Sequence, residues 1–320
     1  MSQYSRREVL KLGALLTAGL GLDPTYSAIF ADGLQKISSG QAKVLWLQGM
    51  SCSGCSVSFL NSNDPGPADI LTTMISLVYH STISAAQGTV AMQVIDQVTA
   101  DKDFILVLEG SVPSGMPKAC MMGGRTLESV LLPALRNAKA IVAVGTCAAF
   151  GGIPAAEGNQ TGSMGLKDFM GKNGISFQNR LVNCPSCPVH PESVWGTLAY
   201  VVSKGYPKVD PKLLTPLMFY EHSVHDECPR YHYWEKEVFA KHFGEEGCLF
   251  KLGCLGPLSH TRCPRRQWNG GVNWCIRAAA PCVSCTSEYF ARRKDFPFYR
   301  KGEESHPVKY NESQRKEATT

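Results

Sequence analysis

Thirteen cysteines are distributed through a chain of 320 residues, and no other feature constrains the fold as strongly. Their density is well below the ~8–10% of a small disulfide scaffold, and an odd number cannot pair completely within the chain. They include three C-x-x-C pairs, beginning at Cys52, Cys184 and Cys282. The residues that follow these pairs are Ser56, Pro188 and Thr286. Covalent haem attachment, which requires C-x-x-C-H, is therefore excluded. The rest of the composition is that of a globular protein, 44% hydrophobic and 18% charged with a net charge of +5. At roughly 150 residues per domain the length suggests about two domains with a substantial core. The positive charge is too small and too dispersed for a nucleic-acid binder. Past the first few dozen residues no apolar run reaches the ~18 needed to span a membrane.

The N-terminus reads Ser5-Arg6-Arg7-Glu8-Val9-Leu10-Lys11, followed by an apolar, glycine-containing stretch from Leu12 to Leu22. A twin arginine ahead of a modest apolar segment is the signal for export of already folded proteins. No clean small-x-small cleavage site stands near Ala28 or Ala31. Such export permits thiolates to receive a metal cofactor in a reducing compartment before any oxidant meets them.

The first half of the chain repeats a strand followed by a turn. Apolar runs at Lys43–Gln48, Asp103–Glu109, Lys139–Val144 and Arg180–Asn183 are continuous rather than alternating, as in strands buried on both faces of a parallel sheet. Helix-like stretches, including Ala68–His80 and Thr126–Asn137, lie between them. The expected architecture is a doubly wound α/β domain over residues 42–205, after an export signal and linker at 1–41. Cysteines follow three of the four strands: Cys52 and Cys55, then Cys147, then Cys184 and Cys187. Glu109 and Gly110 follow the remaining one. Open α/β sheets bind ligands beyond the carboxyl ends of their strands, so cysteines distant in sequence can meet there. Neither G-x-G-x-x-G nor a Walker pattern is present to suggest a nucleotide.

Past residue 210 the chain is rich in Pro, Gly, Trp and Cys, and only Tyr231–Phe243 reads as a helix. Seven cysteines between Cys228 and Cys285 are the natural staples for this irregular region, 206–300. Residues 301–320 form a polar tail with no C-terminal membrane anchor. Structural zinc sites usually draw their two cysteine pairs from nearby sequence; here the gaps run from Cys55 to Cys147 and on to Cys187. Iron–sulfur clusters fit this spread better, since a cubane takes four thiolates and an x-x spacing reaches adjacent irons. Zinc and disulfides remain as the alternative, an exported binding module stabilised by either.

A set of ordered motifs narrows the choice: W-L-Q-G-M-S-C-S-G-C-S (46–56), L-E-G-S-V-P (108–113), V-G-T-C-A (144–148) and N-C-P-S-C-P-V-H-P (183–191). It continues with H-D-E-C-P-R (225–230), G-C-L-F-K-L-G-C-L-G-P (247–257) and P-C-V-S-C (281–285). Across nearly its whole length the chain resembles the small, electron-transferring subunit of a [NiFe] hydrogenase. The resemblance implies a flavodoxin-like first domain, a cluster-stabilised second domain, and hydrogen splitting on a separate large subunit. It implies a proximal [4Fe-4S] cluster on Cys52, Cys55, Cys147 and Cys187, and a distal [4Fe-4S] cluster on His225, Cys228, Cys248 and Cys254. Cys263, Cys282 and Cys285 match the three usual medial ligands. Where many relatives have N-W-P and a [3Fe-4S] cluster, this chain has Asn273-Trp274-Cys275. That fourth thiolate, as in the nickel–iron–selenium branch, implies a medial [4Fe-4S] cluster, or [3Fe-4S] if Cys275 is not a ligand.

Eleven cysteines and His225 then supply twelve ligands for three clusters, and Cys120 and Cys184 are left as inert thiols. Glycine at 54 and 152, where oxygen-tolerant relatives place additional cysteines, implies an ordinary proximal cubane. The implied partners are the large subunit and a c-type cytochrome or membrane acceptor subunit, in the periplasm, with no catalytic residue in this chain. The homologous quinone-reductase subunit of respiratory complexes accounts for the first domain but not for the second set of cysteines. Glu109 is expected to anchor backbone amides, with assistance to proton movement as the other reading. Trp46, Trp268 and Trp274 are expected to pack, and Arg265-Arg266 and Arg292-Arg293-Lys294 to form solvated or docking faces.

Overall fold

The computed structural model describes residues 6–19, 22–38, 42–63, 66 and 76–291. The arginine–lysine run at 292–294 and the tail at 301–320 lie outside them. Five strands build the main sheet: β1 (Lys43–Gln48), β2 (Ser76–His80), β3 (Phe104–Glu109), β4 (Ala140–Val144) and β5 (Leu181–Cys184). Their order is β2-β1-β3-β4-β5 and every pairing is parallel. This is the flavodoxin-like doubly wound order, whose binding crevice lies beyond the carboxyl ends of the strands. All six residues of β3, the central strand, are buried, as expected for a sheet covered on both faces.

Strand periodicity divides the core in two. Val44, Trp46, Val107 and Val142 point to one face, where they join Phe59 and Trp195. Leu45, Leu47, Leu106 and Ile141 point to the other, against Leu131 and Phe169. The covering helices are α1 (Arg6–Gly19), α2 (Tyr26–Ser38), α3 (Gly54–Leu60), α4 (Gly88–Asp101), α5 (Leu127–Asn137), α6 (Gly145–Phe150), α7 (Leu166–Lys172) and α8 (Pro191–Lys204). The α5 helix begins where the sequence placed it because the Thr126 hydroxyl accepts the Ser129 amide, an N-cap. The twin arginines stand at the head of α1, and α2 lies tightly on α8. A Cβ at Gly33 would come within 2.0 Å of the Ala199 carbonyl oxygen, so only glycine fits that crossing.

Three sequence expectations need correction. Residues 76–80, expected at the end of a helix from Ala68, form the edge strand β2; 68–75 lie outside the described residues. The run Leu77-Val78-Tyr79 is rich in strand formers and pairs with β1. The helix expected over Tyr231–Phe243 stops at Glu235. Glu237 takes a left-handed backbone (φ 55°), and Phe239 bridges to Cys248. Of Arg265-Arg266, expected on a solvated or docking face, Arg265 is exposed but Arg266 is not. Arg266 donates from Nε to Glu192 Oε2 at 2.6 Å in a half-buried pair, and Arg265 meets Glu227 at 2.7 Å. The first of these contacts ties the turn after Cys263 to the start of α8.

From residue 206 to 291 the backbone is mainly turns, bends and short helices. A small apolar cluster of Val224, Ala240, Leu249, Trp274 and Ile276 includes Cys254 and Cys282 among its buried members. The larger sheet core depends on side chains such as Phe169, which is fully buried on α7. Truncating Phe169→Ala is expected to destabilise the chain by about 3–5 kcal/mol. Thermal unfolding followed by circular dichroism should show this as a lowered midpoint.

Candidate metal centres

The loops that leave β1, β4 and β5 converge on one crevice. Cys52 and Cys55 lie at the start of α3, Cys147 lies within the first turn of α6, and Cys187 follows β5. Burial pushes the Cys187 thiol up to about 12, with further contributions from neighbouring Cys147, Cys285 and Cys52. Cys55 is raised by burial first, then by Glu109, Cys147 and Cys187. Two glycines leave room for these sulfurs. A Cβ at Gly145 (φ +83°) would lie 2.5 Å from Cys55 Sγ, and one at Gly152 (φ +54°) would lie 2.7 Å from Cys147 Sγ. The Val189 amide donates to Cys55 Sγ at 3.5 Å and the Gly54 amide to Cys52 Sγ at 3.4 Å.

Cys184 is near in sequence but turns the other way. Its Sγ faces α8, 3.3 Å from Thr197 Oγ1, and is fully buried. Cys120 is half-buried beside the second core, away from these groups. Cys187 and Cys184 thus have different surroundings, the first among Cys147, Cys285 and Cys52 and the second against α8.

A second group gathers His225, Cys228, Cys248 and Cys254 around one small cavity. The His225 ring packs against Tyr231 and Trp234, with centroids 5.1 and 5.2 Å apart. Cys254 is pushed up to about 12 by burial, with Cys228 and Cys248 adding to the shift. A third group, Cys263, Cys275, Cys282 and Cys285, lies between the other two. Cys263 rises to about 12 through burial, then Cys285, with Cys275 contributing. Cys282 is raised by burial, then by Cys254 and Cys285. The C-x-x-C pair at 282 therefore reaches towards both outer groups: Cys285 Sγ lies 3.3 Å from Ser186 Oγ, beside Cys187, and the Cys282 amide donates to Cys254 Sγ at 3.4 Å.

All thirteen cysteines are unpaired, so disulfides are not what holds the irregular region. Among the described residues no three His, Cys, Asp or Glu side chains converge closely enough for a single metal ion. Four thiolates around one zinc, bonded at ~2.3 Å, would have to stand only about 3.8 Å apart. A polynuclear cluster bonds each thiolate to a different metal and tolerates the wider spread. Four-donor groups of thiols, most of them buried or half-buried and one group completed by His225, with glycines where a Cβ would strike sulfur, fit such a group.

Sequence reading did not identify the surroundings of Glu109. Its carboxylate, 1% exposed at the end of β3, accepts the amides of Cys55 at 3.1 Å and Ser56 at 3.3 Å. It also accepts the Ser51 hydroxyl and the Gln48 side-chain amide, and thus anchors backbone amides as expected. Ser56 and His80, which complete this network, carry no motif that marks them. The tryptophans pack: Trp46 is in the sheet core against Phe59, Trp274 is in the small cluster, and Trp268 lies against His190.

Residues 220–299 match the family model for the C-terminal region of the NiFe/NiFeSe hydrogenase small subunit. Residues 52–201 match that of the NADH ubiquinone oxidoreductase 20 kDa subunit. The periplasmic [NiFeSe] hydrogenase small subunit of Desulfomicrobium baculatum is 36% identical, over 92% of this chain and 98% of that protein. The periplasmic [NiFe] hydrogenase small subunit 1 of Nitratidesulfovibrio vulgaris is 35% identical, over 92% and 93%. Among solved structures, the oxidised recombinant [NiFeSe] hydrogenase of Desulfovibrio vulgaris Hildenborough superposes with a TM-score of 0.75 at 38% identity, over 81% of this chain and 97% of that one. The H2-activated D. baculatum [NiFeSe] hydrogenase gives 0.74 at 35%, over 81% and 99%.

With a thiol pKa raised to about 12 by burial, Cys184 stays protonated below that pH, and the thiolate is the reactive form. In the folded chain it should resist alkylation by iodoacetamide at pH 8 and react fully once denaturant exposes it. Peptide mass spectrometry on both samples checks this.

Proposed function

The chain belongs to the family of NiFe/NiFeSe hydrogenase small subunits, and from that premise we propose that it is the electron-conducting subunit of a periplasmic hydrogenase. The observation that carries this reading is the serial proximity of the three cysteine groups, through Ser186, next to Cys187, with Cys285 at 3.3 Å and the Cys282 amide with Cys254 Sγ at 3.4 Å. Iron–sulfur clusters held there would supply closely spaced one-electron carriers, while hydrogen itself is split at the metal site of the large subunit. The protein's part is to hold, space and shield these groups.

In this reading Cys52, Cys55, Cys147 and Cys187 hold the proximal [4Fe-4S] cluster in a first domain spanning 42–205. Cys52 is exposed, as are Val57 and Ile153, which suits a face covered by the large subunit. His225, Cys228, Cys248 and Cys254 hold the distal [4Fe-4S] cluster in a second domain over 206–300. A neutral imidazole in place of a thiolate leaves that cluster less negative and raises its potential. That favours electrons leaving towards a c-type cytochrome or a membrane acceptor subunit. Cys263, Cys275, Cys282 and Cys285 hold a medial [4Fe-4S] cluster. The proximity of Cys275 to Cys263 and Cys285 supports the fourth thiolate, and two of the similar proteins are of the [NiFeSe] type. Export through the twin-arginine route fits Arg6-Arg7 and the periplasmic relatives. Among the described residues no helix is long and apolar enough to cross a membrane.

The total metal content and two of the clusters can be tested directly. Iron and acid-labile sulfide analysis of the purified complex should find about twelve irons in this chain; zinc without sulfide would refute the reading. Gly145→Ala places a methyl against Cys55 Sγ and should remove roughly four of those irons. Cys275→Ala should create a stoichiometric three-iron EPR signal in the oxidised protein. The same signal already dominating the wild-type spectrum would exclude Cys275 as a ligand.

A further inference from the structure

The α3 helix has no capping side chain of its own: its N-cap, Ser53, sits in a left-handed conformation and makes no side-chain cap bond. The first amides of the helix nevertheless need acceptors. Glu109, brought in by β3, supplies them in trans by accepting Cys55 N and Ser56 N on Oε1. Its Oε2 accepts Gln48 Nε2 at 3.1 Å and, in a shorter contact, the Ser56 hydroxyl.

The protons behind this carboxylate can be assigned from the network. The Thr82 amide donates to His80 Nδ1 at 3.0 Å, so in a neutral ring the hydrogen is on Nε2. Nε2 lies 3.1 Å from Ser56 Oγ and donates to it. The single hydroxyl hydrogen of Ser56 is then directed at Glu109. Donation runs one way, from His80 to Ser56 to Glu109. His80 is fully buried, and burial holds its pKa down at about 4 against the opposing pull of Glu109, so the ring is neutral at ordinary pH. Two other roles fail on this geometry. A nucleophilic serine would give its hydrogen to the imidazole and face a substrate, whereas Ser56 gives it to a carboxylate and is 1% exposed. A proton relay through His80 is closed, because the Thr82 amide occupies its far nitrogen.

We propose that His80 and Ser56 are positioning residues that lock Glu109 behind Cys55 and thereby lower the potential of the proximal cluster. The inference rests on the reading of Cys55 as a proximal ligand. Hydrogen bonds to sulfur and nearby charge both set cluster potentials. Locked in place, Glu109 withholds two amide donors from the metal side and fixes a buried negative charge next to the cluster. Released, it frees the amides and moves the charge away, and both changes raise the potential.

The test is an EPR-monitored redox titration of the holoenzyme carrying Ser56→Ala, His80→Phe or Ser56→Thr. Ser56→Ala and His80→Phe should raise the proximal midpoint, shifting the oxidised-to-reduced ratio by about tenfold, or ~59 mV for one electron. Distal and medial midpoints should stay in place, and Ser56→Thr, which keeps the hydroxyl, should restore the wild-type value. If Ser56→Ala loses iron, His80→Phe decides, since it alters no residue adjacent to a cysteine. An unchanged or lowered proximal midpoint with full iron content would overturn the proposal. Wild-type enzyme without a proximal cluster signal would instead refute the ligand reading beneath it.

Discussion

A thiol buried in protein keeps its proton, and the C-terminal third of this chain is organised around that fact. Cys254, Cys263 and Cys282 are all raised by burial, the first two to about 12. Left as thiols they are only small hydrophobes in a small cluster that otherwise rests on Val224, Ala240, Leu249, Trp274 and Ile276. Metal binding changes both conditions at once. A metal bound there, as proposed, would displace the protons and join residues that no strand or long helix connects, so that loading and folding would become one event. Turn-rich backbone from 206 to 291 is tolerable under those terms.

The parallel sheet meets the same need in another way. Its strand order places β1 and β4 on either side of β3, with β5 beyond β4. The loops after β1, β4 and β5 bring thiols to the crevice. The central strand brings none; it ends in Glu109, whose carboxylate binds the loop that carries Cys52 and Cys55. A carboxylate at this position organises the thiol-bearing loop from the centre of the sheet. Its charge is satisfied by five donors rather than by a cation, consistent with the rule that buried polar groups are hydrogen-bonded.

What was legible in the sequence divides along the same physical line. Strands β1, β3, β4 and β5 are continuous apolar runs that end in cysteine or are followed by glycine, and a pattern that strong survives into the fold. The edge strand β2 lacked it, because only Tyr79 and His80 are fully buried there, so one face gave no hydrophobic signal. The three C-x-x-C pairs are legible because their spacing is local, but that spacing does not tell Cys187 from Cys184, whose Sγ faces Thr197. The Ser56–His80 and Glu192–Arg266 contacts join residues 24 and 74 positions apart and depend on tertiary placement, which a single sequence does not encode in any short pattern. Helix propensity over Tyr231–Phe243 lost to the pairing of Phe239 with Cys248, a tertiary override of a local preference.

The pair Cys282 and Cys285 sets the spacing of the whole assembly. The Cys282 amide donates to Cys254 Sγ at 3.4 Å, and its carbonyl accepts the Leu255 amide at 2.7 Å, fixing it to the distal group. The Cys285 Sγ lies 3.3 Å from Ser186 Oγ, and its carbonyl accepts the Thr146 hydroxyl, fixing it to the sheet. Two intervening residues therefore determine how far apart the sheet and the irregular region stand. Because Thr146 and Ser186 adjoin Cys147 and Cys187, the contact that joins the two regions also sets the separation of their cysteine groups. Two residues more or fewer between these cysteines would displace one anchor or the other, so the motif proposed as a metal ligand pair is also the ruler of the fold.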